Sequence, residues 1–112
     1  MTVYQEMEVV RNFVAENFGE EKVTKLKYKK INQRYHNEHH YSFTLSTKST
    51  PLYITLITGY EPHYNEAIYE LIVSQDNGDK LKSSMVKLSK ETATSSNIIS
   101  TLQNKFKMPL KK

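Results

Sequence analysis

Apolar residues at the start of the chain recur at helical spacing. Val3, Met7, Val10, Val14 and Phe18 follow at steps of four, three, four and four, with Phe13 at the edge of the stripe. Gln5, Glu8, Asn12 and Glu16 face the other way, so the pattern predicts an amphipathic helix over Val3–Phe18. Thr2 and Gln5 have the spacing of a capping box, in which each side chain satisfies a free backbone N–H of the first turn. Gly19 stands where a helix-ending αL residue is wanted.

The period then drops to two. Leu26 and Tyr28 alternate with Lys25, Lys27 and Lys29 in an extended run over residues 22–31. Tyr41, Phe43 and Leu45 alternate with His40, Ser42, Thr44 and Ser46, and Leu52, Ile54 and Leu56 alternate with Tyr53, Thr55 and Ile57. This is the signature of strands with one wetter face. Residues 65–74 fit either a helix capped by Asn65 or a strand, and Asp76–Asn77–Gly78–Asp79 decides for a hairpin, because Asn-Gly favours a type I′ turn. Strands are expected at 67–75 and 80–88. Folding on Asn77–Gly78 pairs Val73 with Lys82, Leu71 with Ser84, Tyr69 with Val86 and Ala67 with Leu88. The other face of that hairpin carries Ile68, Ile72, Leu81 and Met85, too apolar for a plain solvent surface.

A cover for that face is offered by the C-terminal segment. Ile98, Ile99, Leu102 and Phe106 recur at helical spacing behind Ser95 and Ser96, and Pro109 stops the helix. The expectation is that residues 95–108 pack these four onto Ile68, Ile72, Leu81 and Met85. The fold class is α+β: an N-terminal helix on an antiparallel sheet of about five strands, with a C-terminal amphipathic helix, in one domain over 1–112. The run Val9–Val10–Arg11–Asn12–Phe13–Val14, the strand from Lys25 to Lys30, the hairpin of Tyr41–Leu45 with Leu52–Ile57 and the Asn-Gly hairpin together resemble, in layout, the cystatin-like domains that also occur in small bacterial lipoproteins. The Gln-x-Val-x-Gly hairpin of protease-inhibiting cystatins is absent, as is the lipid-bearing Cys of the lipoproteins. The resemblance therefore implies a fold and carries no activity.

Composition narrows the chemistry. The 112 residues include 16 Lys+Arg, 12 Asp+Glu and four His, for a net charge of +4, and no Cys. Disulfides, Cys-ligated zinc and thiol catalysis are excluded. No apolar run approaches a membrane span, and no Gly-rich phosphate loop or Gly-x-Ser-x-Gly elbow occurs. No cofactor is assigned, and the chain reads as a non-enzyme. The acidic start from Met1 to Glu6 does not read as a signal peptide, so a cytoplasmic chain is expected, or an extracytoplasmic one if a leader has been trimmed away.

Three surface features are candidates for function. His36, Glu38 and His40 would share a face if extended and are the candidate metal ligands, although no recognised metal motif is matched. Lys25, Lys27, Lys29 and Arg34 form a basic ridge suited to an anion or nucleic acid, or to guarding an edge strand against pairing. Charge is also segregated: residues 1–21 carry −4, 22–60 carry +6, 61–79 carry −5 and 80–112 carry +7. Adjacent hairpin strands would compensate much of this, and the remainder suits a charged protein partner. The reading carried forward is a protein-binding module, an inhibitor, immunity or accessory factor, whose partner is another protein or a second copy of the chain. Its contact residues are Ile57, Ile68, Ile72, Leu81 and Met85, with Tyr60 and Tyr64 as rim anchors. Nucleic-acid or anion binding is the alternative.

Overall fold

A computed structural model describes residues 1–32, 37–76 and 81–110. Helix α1 spans Val3–Phe18 and ends in a 3₁₀ turn, Glu20–Lys22. Strands β1 (Lys27–Asn32), β2 (Asn37–Leu45), β3 (Leu52–Glu61), β4 (Glu66–Asp76) and β5 (Leu81–Lys87) follow, and helix α2 (Ser95–Asn104) closes the order. The strands form one antiparallel meander in the order β1-β2-β3-β4-β5. The α+β layout expected from the periodicity is the layout observed.

Local chemistry sets the ends of α1. The Thr2 N–H donates to Gln5 Oε1 at 2.8 Å and the Gln5 N–H donates to Thr2 Oγ1 at 3.1 Å, closing the capping box. Gly19 takes φ 110° and ψ 135°, a positive-φ conformation but not αL, while its N–H donates to the Ala15 carbonyl. Only glycine adopts such a φ without strain. Of the segment whose pattern fits either a helix or a strand, residues 66–74 are strand, within β4, and Asn65 is in the turn before it.

Register puts two different surfaces on the sheet. On the inner face, Tyr28, Tyr41, Leu56, Leu71 and Val86 lie in one cross-strand row, and Phe43, Ile54 and Val73 in the next. Met7, Val10 and Val14 of α1 and Ile98 and Leu102 of α2 are fully buried in the same cluster as Phe43, Leu45, Ile54, Leu56 and Leu71. Both helices therefore cover the inner face. This overturns the expectation that α2 covers Ile68, Ile72, Leu81 and Met85. The reason is width: five strands span about 20–25 Å, whereas one helix covers about 10 Å. A single helix would leave part of the apolar surface of that face wet, and α2 covers more of it. Glu6 of α1 joins the two helices by accepting a hydrogen bond from the Ser95 N–H at 3.4 Å, a carboxylate at the positive end of α2. Met108 and Leu110 extend the same core beyond α2.

Two further expectations are corrected. The first strand begins at Lys27 rather than near residue 22, because Arg11 draws the preceding segment onto α1. Its Nε donates to the Thr24 carbonyl at 2.9 Å and one Nη to the Val23 carbonyl at 3.0 Å. Val23 still makes an isolated bridge to Leu45 and is buried, and Leu26 also packs on the core, so the alternation slips by one residue between them. In the last hairpin, Leu71 pairs with Val86, Val73 with Ser84 and Asp76 with Leu81, two residues away from the register of a turn centred on Asn77–Gly78. That turn itself lies outside the described residues.

Candidate functional site

The outer face of the sheet faces away from both helices. Reading across it, Lys29, His40, Ile57, Glu70 and Lys87 form one row, and Lys27, Ser42, Thr55, Ile72 and Met85 the next. Ile31, Glu38, Gly59 and Ile68 follow, and Leu81 stands opposite Asp76 at the far end. Ile57, Ile68, Ile72, Leu81 and Met85 are thus brought onto one surface, as the hairpin pattern requires. Met85 is 48% and Leu81 62% exposed, while Ile57, between His40 and Glu70, is only 8% exposed.

Carboxylates crowd one end of this face. Glu61 and Glu66 are directly opposed across β3 and β4, and Glu38 and Glu70 share the surface with them. Glu70 is opposite Lys87, so the −5 and +7 segments meet in register at that pair. Like charges placed directly opposite disfavour pairing, and Glu61 accepts a hydrogen bond from the His63 N–H at 2.9 Å.

The two tyrosines expected at the rim lie elsewhere. Tyr60 pairs with Ala67 on the helix side of the sheet and donates its hydroxyl proton to Asn65 Oδ1. Tyr64 is in the turn between β3 and β4, against the edge of the His63 ring.

Of the basic ridge, Lys27 and Lys29 stand on the outer face of β1, an edge strand, where lysines discourage pairing with another chain. Lys25 precedes β1 and lines a hollow with Tyr4, Glu8, Arg11 and Asn12 of α1, so the ridge is divided. Arg34 and His36 lie outside the described residues. The other two candidate metal ligands, Glu38 and His40, pair with each other at 3.1 Å. Among the described residues, no group of three or more His, Asp or Glu side chains is placed to hold a metal ion, and no helix is long and apolar enough to cross a membrane.

A second feature was not visible in the sequence pattern. Near the β2 start the inner face runs past the helices, and a cleft of about 450 Å³ opens there. It is lined by Asn37, His39, Thr58, Gly59, Tyr60, Pro62 and Tyr69. The Tyr28 hydroxyl is 2.6 Å from His39 Nδ1, and the two rings stack with centroids 5.9 Å apart. Tyr28 also packs on Tyr41, centroids 5.2 Å apart. Burial pushes the Tyr41 phenol above its ordinary value, helped by the neighbouring Tyr28, and a hydrogen bond with Thr58 pulls weakly the other way. Tyr41 therefore remains a protonated phenol at neutral pH.

Gly59 fixes the floor of this region. A Cβ there would lie 2.7 Å from the backbone carbonyl oxygen of Asn37, so β2 and β3 approach as closely as they do only because position 59 has no side chain. Gly59→Ala is expected to cost about 1–3 kcal/mol by overpacking, read as a fall in the denaturation midpoint at constant slope. NMR shift changes should centre on Asn37, Glu38 and Thr58 rather than on the helices.

Comparison with protein-family models, with curated proteins and with solved structures gives no match.

Proposed function

We propose that this chain is a non-enzymatic protein-binding module, of the inhibitor, immunity or accessory kind, whose partner docks on the outer face of the sheet. One observation carries the reading: both helices pack on the inner face, and among the described residues no element covers Ile68, Ile72, Leu81 and Met85. An apolar centre ringed by polar side chains is the anatomy of a protein interface. Charge names the partner's complement. Glu66 and Glu70 border the Ile57 and Ile68 end, and Lys29 and Lys87 lie on the same face, so the partner presents apolar side chains bounded by charges of both signs. The cystatin-like layout belongs to this proposal as an analogy of arrangement, to which α2 is an addition.

The test uses two exposed positions, so that folding is spared. Leu81→Gln/Met85→Gln should keep its melting temperature within a few degrees, since surface substitutions usually change stability by about 0.5 kcal/mol or less each. It should lose the protein partner retained by wild type and by Lys105→Gln on the far side. Equal retention by all three would overturn the proposal. In the anion or nucleic-acid alternative, Lys27 and Lys29 make the contact. Its signature is binding that falls steeply with salt and disappears in Lys27→Glu/Lys29→Glu.

A further inference from the structure

We propose that the cleft at the uncovered end of the inner face is a binding site for a small aromatic carboxylate, a site independent of the outer face. Its walls set the shape of the ligand. Tyr60, Tyr69, Pro62 and His39 offer rings and apolar surface on several sides, and the stacked Tyr28 holds the His39 ring from behind. An open cleft of about 450 Å³ has room for a planar body of one or two fused rings. Aromatic walls favour such a body through offset and edge-to-face contacts.

The polar groups set its charge. Those at the cleft include the Tyr69 hydroxyl, the Asn37 amide and the His39 ring, while the Tyr60 hydroxyl proton is held by Asn65 and the Thr58 hydroxyl is bonded to Tyr41. The Tyr28 hydroxyl, 2.6 Å from His39 Nδ1, engages that nitrogen and fixes the orientation of the ring. Lys30 is the cross-strand neighbour of His39 on the same face and adds positive charge. Among the described residues, no carboxylate lines the cleft. Glu61, Glu66 and Glu70 border instead a separate hollow of about 210 Å³, which shares only Tyr69 with it. A tyrosine-walled site can also hold an organic cation. Here the lysine and the donors oppose that choice.

Titration of the full chain with 2-naphthoate, followed by aromatic and amide NMR shifts, tests the assignment. Acetate and phenyltrimethylammonium serve as the carboxylate-only and cation-only probes. Saturable shifts centred on His39, Tyr60 and Tyr69 are expected with naphthoate, far weaker ones with acetate, and none with the cation. Tyr60→Ala, at an exposed position, should weaken naphthoate binding about tenfold, and Lys30→Gln several-fold, with melting curves unchanged. Absence of saturation with wild type, binding of the cation at comparable strength, or an affinity unaltered by Tyr60→Ala would each overturn the proposal. Because none of these substitutions touches the outer face, its partner should still bind Tyr60→Ala, which separates failure here from failure of the docking surface.

Discussion

Leu102→Asp should abolish the native fold at 25 °C. Leu102 is fully buried in the cluster shared by α1, α2 and the inner sheet face. Truncating such a leucine costs about 2–5 kcal/mol through lost transfer energy and the cavity left behind. Leu102→Ala should therefore still fold, with a melting temperature lower by roughly 10–20 °C. Aspartate adds the cost of placing a carboxylate in an apolar site, again several kcal/mol. Together these terms rival the roughly 5–15 kcal/mol that holds a domain of this size. The expected readout is loss of near-ultraviolet dichroism and of amide dispersion at neutral pH. Ser100→Asp, on the exposed side of the same helix, is the control and should melt within a few degrees of wild type. If the two aspartates behaved alike, α2 would be a peripheral element and the inner face would have to be sealed by α1 alone.

That placement of α2 is where the sequence pattern was least informative. Periodicity states which residues share a face, and Ile98 with Leu102, Ile68 with Ile72, and Leu71 with Val73 were each grouped correctly. It does not state which face meets which helix. The arbiter is the area to be covered, and the inner face carries Phe43, Leu45, Ile54, Leu56 and Leu71, a larger apolar surface than the outer one. The same limit explains the last hairpin. A register shift of two returns every side chain to its own face, so the apolar pattern is blind to it, whereas a shift of one would have inverted the strand. The α1 boundaries were legible to the residue because three independent signals, capping box, stripe and glycine, agree there.

The candidate sites divide in the same way. The outer-face residues were readable because they repeat at alternate positions along β4 and β5. The cleft was not, since His39, Thr58 and Tyr69 come from three strands and meet only through register. Tyr60 was read as a rim anchor of the outer face, but alternation from Ile54 and Leu56 already assigns it to the inner side. Arg11 gave a signal that could have been used. It stands four residues after Met7 and three before Val14, so a guanidinium falls on the buried stripe of α1. A charge in that position needs partners, and backbone carbonyls of an irregular segment are the usual ones.

Arg11 accordingly carries the second large effect. It is 8% exposed and makes four hydrogen bonds. Its donors reach the Thr24 and Val23 carbonyls, Asn12 Oδ1 at 3.1 Å and Glu20 Oε1 at 2.5 Å. The two carbonyls belong to the segment that forgoes regular pairing before β1, so Arg11 supplies the partners that a ladder would otherwise give. Arg11→Ala removes the guanidinium and its stem and leaves the Val23 and Thr24 carbonyls short of donors. Two such losses, each about 1–3 kcal/mol, put the expected cost near 2–6 kcal/mol. Arg11→Lys should recover only part of it, because one ammonium cannot reach the diverging acceptors of the planar fork. The pH dependence separates the carbonyl contacts from the ion pair. The hydrogen bond from Arg11 holds the exposed Glu20 carboxyl below its ordinary value, with the guanidinium charge adding to the effect and desolvation opposing it. A depressed folded value means that the Glu20 contribution is present above the unfolded carboxylate range and is lost as pH falls through the folded value. Glu20→Gln should thus melt slightly below wild type at pH 7 and converge with it in acid. Arg11→Ala should remain well below wild type at both, because the backbone carbonyls it abandons do not titrate. Convergence of Arg11→Ala with wild type at low pH would instead place its whole contribution in the ion pair with Glu20.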